Sequence, residues 1–172
     1  MKNSITVVIV ALTLVACSSQ TNQTTSTAKS VTTTVTHDEC STINSLISGY
    51  QTAFHVIKTD KIAHPFTHQW HTQTQLMGSN CTVTVNQLEQ TSYQCNVHLE
   101  TQSEAVKSHH QLAQQLRQCL TPQGWFESQK ETSDTIFSSF VLDAKTPAIT
   151  LFTAQETNGF STRFEIAPAL GR

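Results

Sequence analysis

Alternation of apolar and polar side chains, in short segments separated by turns, constrains this chain more than any other feature of its sequence. Seven segments show it, at residues 66–76, 81–85, 93–99, 125–131, 135–143, 148–155 and 160–166. A period of two, with β-branched and aromatic side chains at the apolar positions, is typical of antiparallel strands that bury one face. The sequence therefore predicts an antiparallel sheet made of two groups of strands.

A helical period precedes each group of predicted strands. The first stripe predicts a helix over residues 39–58, with apolar side chains at Ile43, Leu46, Ile47, Tyr50, Phe54 and Ile57. The second helix opens at residues 101–104, with Ser103 as the expected N-cap, and Thr121-Pro122 ends it. The order of helix, three strands, helix and three or four strands predicts an α+β fold. We interpret it as a pseudo-duplicated α-β-β-β unit, with two helices packed on one face of the sheet.

The amino-terminal residues indicate export. Met1-Lys2 carries positive charge, and residues 5–15 are almost uninterruptedly apolar. A spanning helix needs about 20 apolar residues, so this stretch is too short to cross a membrane and fits the apolar core of a signal peptide. Leu14-Val15-Ala16-Cys17 resembles the lipobox of bacterial lipoproteins.

That resemblance implies a location. It implies that residues 1–16 are a signal peptide, that the thiol of Cys17 receives a diacylglycerol, and that the new amino terminus is acylated. Ser18, rather than aspartate, follows the cysteine, which resembles the outer-membrane default of enterobacterial lipoproteins. We therefore expect a lipid-anchored protein of the cell envelope, on the outer membrane and facing the periplasm.

Composition divides the remainder of the chain into a tether and a domain. Residues 17–36 are rich in serine and threonine and poor in apolar side chains, so they cannot bury enough surface to offset the entropy of ordering. We interpret them as the lipidated cysteine and a flexible tether. Residues 37–172 are then long enough for a single α+β domain.

The cysteine count supports an oxidising compartment. Removing Cys17 from the five cysteines leaves Cys40, Cys81, Cys95 and Cys119, an even set that predicts two disulfides. We favour Cys40–Cys119, which joins the ends of antiparallel helices, together with Cys81–Cys95 across a hairpin centred near Leu88. The alternative pairs Cys95 with Cys119 and Cys40 with Cys81.

Charge and motifs exclude several functions. Charged residues are 13 % of the chain, against about 25 % in ordinary globular domains, and the net charge of −2 offers no basic field for nucleic acid. The sequence has no GxSxG nucleophile motif, glycine-rich phosphate loop or HExxH metal motif. We therefore expect no catalytic residues, no cofactor and no nucleic-acid partner, and we predict a protein that is not an enzyme.

Three histidines form a cluster in the sequence. His64, His68 and His71 would share a face on a helix and could bind zinc or copper. Pro65 and the alternation favour a loop followed by a strand, in which His68 and His71 point to opposite faces. Further ligands, such as His98 or His109, would then be needed. A transition-metal-binding lipoprotein is one alternative function.

Aromatic side chains indicate a second apolar face on the carboxy-terminal part of the sheet. Apolar residues are adjacent in three predicted strands, at Trp125-Phe126, Ile136-Phe137 and Leu151-Phe152, and adjacent strand residues point to opposite faces. A sheet covered on both sides, or curled into a partial barrel, would also explain them. We instead predict a surface for an envelope protein partner, and hence a non-enzymatic binding or envelope-accessory role, at Phe126, Phe137, Phe152 and Phe164. An immunity-type inhibitor of a toxin in the periplasm is the other alternative.

Overall fold

Residues 37–169 are the part of the chain that the computed structural model describes, with side chains from Cys40 onward. They form two α-helices, one short 3-10 helix and eight β-strands. Neither α-helix in this range has the length and apolar character that a membrane crossing requires. The predicted signal peptide, Cys17 and the tether lie outside the described residues.

The order of elements is one helix and four strands, followed by one helix and four strands. The first group comprises α1 (His37–Tyr50), β1 (Lys58–Ile62), β2 (His68–Thr72), β3 (Asn80–Val85) and β4 (Thr91–Leu99). The second group comprises α2 (Gln102–Leu120), the 3-10 helix Thr121–Gln123, β5 (Phe126–Glu131), β6 (Thr135–Val141), β7 (Ala148–Glu156) and β8 (Gly159–Ala167). Within residues 37–169, all eight strands form one antiparallel sheet in the order β1-β2-β3-β4-β8-β7-β6-β5. The predicted α+β class is confirmed.

Helix α1 is shorter than predicted. It ends at Tyr50, and the amide of Phe54 donates to the carbonyl oxygen of Gly49 at 2.7 Å while that of Ala53 donates to Tyr50 at 3.0 Å. These two bonds, with Ala53 at φ 52°, are the geometry of a Schellman helix end. Phe54 is buried, so this turn places its side chain in the core. In the sequence, Phe54 lies at a position that matches the apolar spacing of the helix. The predicted boundary at residue 58 is wrong for that reason.

Strand β1 is the element that the alternation did not predict. It is an edge strand of sequence KTDKI, with charged, mostly exposed side chains, and it has no apolar period for a sequence pattern to reveal. Charged side chains on an edge strand also discourage pairing with other chains. Each helix is consequently followed by four strands, whereas the predicted unit had three.

Helix α2 begins with a capping box. The side chain of Thr101 accepts from the amide of Glu104, and the Glu104 carboxylate accepts from the amide of Thr101 at 3.2 Å, which satisfies two amides of the first turn. The N-cap is therefore Thr101 and not Ser103. The buried side chains of α2 recur at helical spacing and are Ala105, His109, Leu112, Ala113, Leu116, Cys119 and Leu120.

Both disulfides have the favoured pairing. Cys40 in α1 is bonded to Cys119 at the end of α2, with 5.3 Å between their Cα atoms. Cys81 is bonded to Cys95, its direct partner in the register of β3 and β4. The disulfide-stabilised fold is thus confirmed in the described part of the chain.

The core lies between the two helices and one face of the sheet. Helices α1 and α2 contact each other, and both contact β4 and β8 at the centre of the sheet. The largest buried apolar side chains are Tyr93, Phe54, Phe140, Phe164, Ile43, Leu46, Leu116, Leu120, Ile149, Leu151 and Ile166. The opposite face of the sheet carries no helix from residues 37–169 and is called the open face below.

Removing the bond between the helices tests its contribution to stability. We expect Cys40→Ala/Cys119→Ala to lower the free energy of unfolding by about 4 kcal/mol, because the bond closes a long loop in the unfolded chain. Urea titration followed by circular dichroism measures this loss. Ser41→Ala, an exposed neighbour on α1, is the control. A loss no larger than that of the control would contradict the expectation.

Candidate functional site

The open face has a polar half and an aromatic half. Strands β2, β3 and β4 contribute polar side chains, namely Gln69, His71, Thr82, Thr84, Ser92, Gln94 and Asn96, which follow one another in the register of the ladders. Thr, Ser and Gln are polar and uncharged, so they keep the solvent-facing side of these strands polar with few charged groups. The aromatic half belongs to β5, β6 and β7.

Phe137 and Phe152 form the centre of the aromatic half. They are direct partners across β6 and β7, and they are 36 % and 39 % exposed, while their neighbours Ile136 and Leu151 are buried under the helices. Direct partners on one face of a sheet have Cβ atoms about 5 Å apart. The Phe137–Phe152 pair is therefore an apolar shelf on the surface of the described domain.

Phe126 lies on the same face, apart from that pair. It is 72 % exposed and is the partner of Val141. The polar pair Ser128 and Ser139 occupies the intervening position, so Phe126 is a separate apolar point at the end of β5. Trp125, the residue before it, is buried, as the opposite orientation of adjacent residues requires.

Phe164 does not belong to this surface. It is fully buried, it pairs with Cys95 and Leu151 on the helix side of the sheet, and its ring meets that of Tyr93 edge-on at 6.2 Å. The residue of β8 that reaches the open face is its neighbour Arg163. The predicted surface therefore loses Phe164, because a shift of one residue changes the face.

Two cations flank the aromatic pair. Lys130 is the partner of Phe137 across β5 and β6, and Arg163 is the partner of Phe152 across β7 and β8. The Nε of Arg163 donates to Oδ1 of Asn96 at 3.1 Å, which holds the guanidinium over the centre of the sheet. Neither cation was identified from the sequence, although adjacent residues of one strand point to opposite faces and a buried Phe164 would have placed Arg163 on the open face.

The predicted histidine cluster is not assembled. His64 lies in the loop before β2 and uses its Nδ1 at 2.8 Å from the hydroxyl of Thr67, while His68 and His71 alternate along β2. The further candidates also lie apart from these three histidines. His98 contacts the carbonyl oxygen of Asn158, and His109 belongs to the buried side of α2. Among the described residues, no group of three metal-binding side chains is close enough to hold an ion. This geometry gives the metal-site hypothesis no support.

His109 is the centre of a buried polar network. Its Nδ1 lies 2.9 Å from Thr153 Oγ1 and its Nε2 lies 3.0 Å from Ser138 Oγ, and Thr153 in turn contacts Thr162 at 2.9 Å. The pKa of His109 is lowered to about 4, chiefly by burial and secondarily by the charge of His110, while the carboxylate of Glu127 acts in the opposite direction. The neutral ring can donate from one nitrogen and accept at the other, which satisfies both hydroxyl partners.

The contact between Ser138 and His109 has the spacing of a nucleophile and its base. Both side chains are fully buried between α2 and the sheet, so a substrate carbonyl cannot approach the hydroxyl oxygen. Every polar atom buried in the described side chains has a hydrogen-bond partner. The network therefore positions α2 on the sheet.

Comparison with known proteins assigns no family. No protein-family model matches the chain, and neither a curated protein nor a solved structure matches it. Function must therefore be inferred from the amino-terminal sequence and from the open face.

The buried histidine predicts a pH dependence of stability. In the folded protein His109 stays neutral down to a pKa of about 4, whereas in the unfolded chain it takes up a proton below about pH 6.5. Its contribution is therefore complete above pH 6.5 and falls as the pH drops from 6.5 to 4. The slope is up to about 1.4 kcal/mol per pH unit.

His109→Gln removes this titration while retaining a donor and an acceptor for the two hydroxyls. We expect urea unfolding curves of the variant, measured from pH 7 to pH 4, to lack that part of the slope. His55→Gln, at an exposed position outside α2, is the control and should retain the slope of the unmodified protein. Equal slopes in all three proteins would contradict the assignment.

Proposed function

We propose that this chain is a bacterial lipoprotein, anchored in the cell envelope through acylated Cys17, whose domain is a non-enzymatic binding module for an envelope protein. The anchor is supported by the lipobox-like Leu14-Val15-Ala16-Cys17. The binding role is supported by one structural observation, the outward Phe137–Phe152 pair on the face of the sheet opposite the helices. The location is the outer membrane, on its periplasmic side, as Ser18 favours.

The anchor and the tether define how the domain would be presented. Each buried CH₂ of an acyl chain contributes about 0.8 kcal/mol, and one chain holds a protein only marginally, so several chains on one cysteine give a firm attachment. A flexible chain of about 20 residues has a mean reach on the order of 25 Å. A tether of this length would let the domain reach a neighbour in the same membrane. Disulfides are also at home in the oxidising periplasm.

The modification of Cys17 is directly testable. We expect metabolic labelling with palmitate to mark the full-length protein, and Cys17→Ser to abolish both the label and recovery in the membrane fraction. Ser18→Asp should keep the label but shift the protein toward the inner membrane in an enterobacterial host. Ser18→Ala is the matched control for that shift. Mass analysis showing an intact amino-terminal methionine and an unacylated Cys17 would contradict the proposal.

The aromatic pair is the basis for the docking role because both side chains remain partly exposed to solvent in the described part of the chain. Adjacent exposed apolar side chains on a folded surface often mark a site of interaction, and aromatic residues at the centre of an interface contribute more than most others. The pair also lies on β6 and β7, which are hydrogen-bonded to neighbouring strands on both sides. A partner would thus meet a surface that needs no reordering.

Replacing the pair tests the docking role. We expect Phe137→Ser/Phe152→Ser to lose at least ten-fold in yield of partner crosslinks from a photoreactive residue placed at Ser139, without a change in the unfolding midpoint above pH 7. Phe66→Ser is the matched control, since Phe66 is also highly exposed but lies in the loop before β2. Equal crosslinking by all three proteins in cells would contradict the docking role.

The alternative of an immunity-type inhibitor concerns the identity of the partner and uses the same face. A periplasmic toxin recovered in these crosslinks would favour it.

The proposal also includes the pseudo-duplication of the fold, now with a helix and four strands in each half. The mirrored strand order, with β4 beside β8 and with β1 and β5 at the two edges, supports that part.

A further inference from the structure

One row of side chains crosses the aromatic half of the open face. Its members are direct partners on four adjacent strands, namely Lys130 on β5, Phe137 on β6, Phe152 on β7 and Arg163 on β8. Neighbouring strands are about 4.8 Å apart, so the two cations lie roughly 14 Å from each other at the level of the backbone. The order across the sheet is cation, aromatic, aromatic, cation.

Neither cation is neutralised by the described residues. Among residues 40–169, no carboxylate lies within 4.0 Å of Lys130 or Arg163. The nearest carboxylate in sequence on the same face of β8 is Glu165, which accepts from the amide nitrogen of Gln94 at 2.8 Å. Arg163 uses Nε for Asn96, and the remaining guanidinium N–H groups can donate to a ligand in the fork geometry that suits carboxylates.

This inference rests on the proposed docking role and specifies the chemistry of the partner. We infer that the open face recognises an extended protein segment with an apolar side chain between two acidic ones. In an extended chain, residues i, i+2 and i+4 point to the same side, and i and i+4 are about 13 to 14 Å apart. An acid–x–apolar–x–acid segment lying across β5–β8 would set its carboxylates against Lys130 and Arg163 and its apolar side chain on the phenylalanine pair.

The arrangement favours a protein segment over a lipid surface. A bilayer presents its anionic headgroups in a layer above the acyl chains, whereas the row requires negative charge on both sides of an apolar group at one level. The net charge of −2 supplies no general attraction to an anionic membrane. Charge complementarity within the row therefore selects the partner's local sequence.

Two fluorescent peptides test the inference with the full-length lipidated protein in detergent micelles. One has the sequence Gly-Glu-Thr-Phe-Thr-Glu-Gly and the other has lysine in place of both glutamates. We expect fluorescence anisotropy to report at least ten-fold tighter binding of the acidic peptide, with a preference that shrinks as salt screens exposed charges. Equal binding of the two peptides, or binding of neither, would overturn the inference.

Charge reversal supplies the second arm. Lys130→Glu/Arg163→Glu should prefer the lysine peptide, whereas the control Lys61→Glu/Lys107→Glu, with the same change of net charge away from the open face, should keep the original preference. Phe137→Ser/Phe152→Ser should lose binding of the acidic peptide. The same preference in the row variant and the control would overturn the inference.

Two further outcomes separate this inference from the docking role itself. If cellular crosslinks from Ser139 persist at full yield in Lys130→Glu/Arg163→Glu, the docking role stands and the acidic segment is wrong. If the unlipidated Cys17→Ser protein binds phosphatidylglycerol vesicles through Lys130 and Arg163 and binds neither peptide, the occupant is a lipid surface and the inference is overturned. Phosphatidylcholine vesicles are the control for that arm.

Discussion

The pairing of β4 with β8 is the interaction on which the rest of this structure depends. It joins two four-stranded meanders that are far apart in sequence into one sheet, through a continuous register from Tyr93–Ile166 to Leu99–Phe160. Both helices contact these two central strands, and the buried rings of Tyr93 and Phe164 meet there. Without this seam, neither meander would bring enough apolar surface together to cover a helix.

The attachment of α2 to the sheet combines apolar burial with polar specificity. Its leucines fill the space above β6–β8, while His109 uses both ring nitrogens for hydroxyls on the sheet. At the surface, the guanidinium of Arg117 makes two hydrogen bonds, at 2.6 and 2.7 Å, to the carboxylate of Glu127 on β5. Apolar contacts tolerate sliding, but the hydrogen bonds to His109 are satisfied in one position, so the network sets the register of helix on sheet.

Placing both helices on one side has a consequence for the other side. A sheet with only one covered face must be polar on its free face or present that face to a partner. In this chain the free face carries Thr, Ser, Gln and Asn on β2–β4 and phenylalanines between Lys130 and Arg163 on β5–β8. Glu165, two residues beyond Arg163 on the same face, is hydrogen-bonded to the side-chain amide of Gln94, so Lys130 and Arg163 are the charges that flank the phenylalanines.

The sequence predicted the local features, namely most of the strands, the two helices and the outward positions of Phe126, Phe137 and Phe152. It also favoured the correct disulfides, because Cys81 and Cys95 are related by a short hairpin and because Cys40 and Cys119 sit at helix ends. The strand and helix periods and the Cys81–Cys95 pairing depend on residues near one another in the chain. Cys40 and Cys119 are 79 residues apart, and their pairing followed from the expected antiparallel packing of the two helices. It did not predict where α1 ends, because the residues after the helix continue its apolar spacing. It did not predict β1, because that strand has no apolar period.

Which distant strands are neighbours is visible in the folded structure and not in the sequence. Alternation assigns a side chain to one face or the other, yet it contains nothing about strand order, so the placement of β8 beside β4 and the row from Lys130 to Arg163 could not be predicted. Phe164 and Arg163 illustrate the alternation: Phe164 points into the core, and its neighbour Arg163 points to the open face. Side-chain direction is a local property of a strand, whereas adjacency arises from long-range pairing and from burial under the helices.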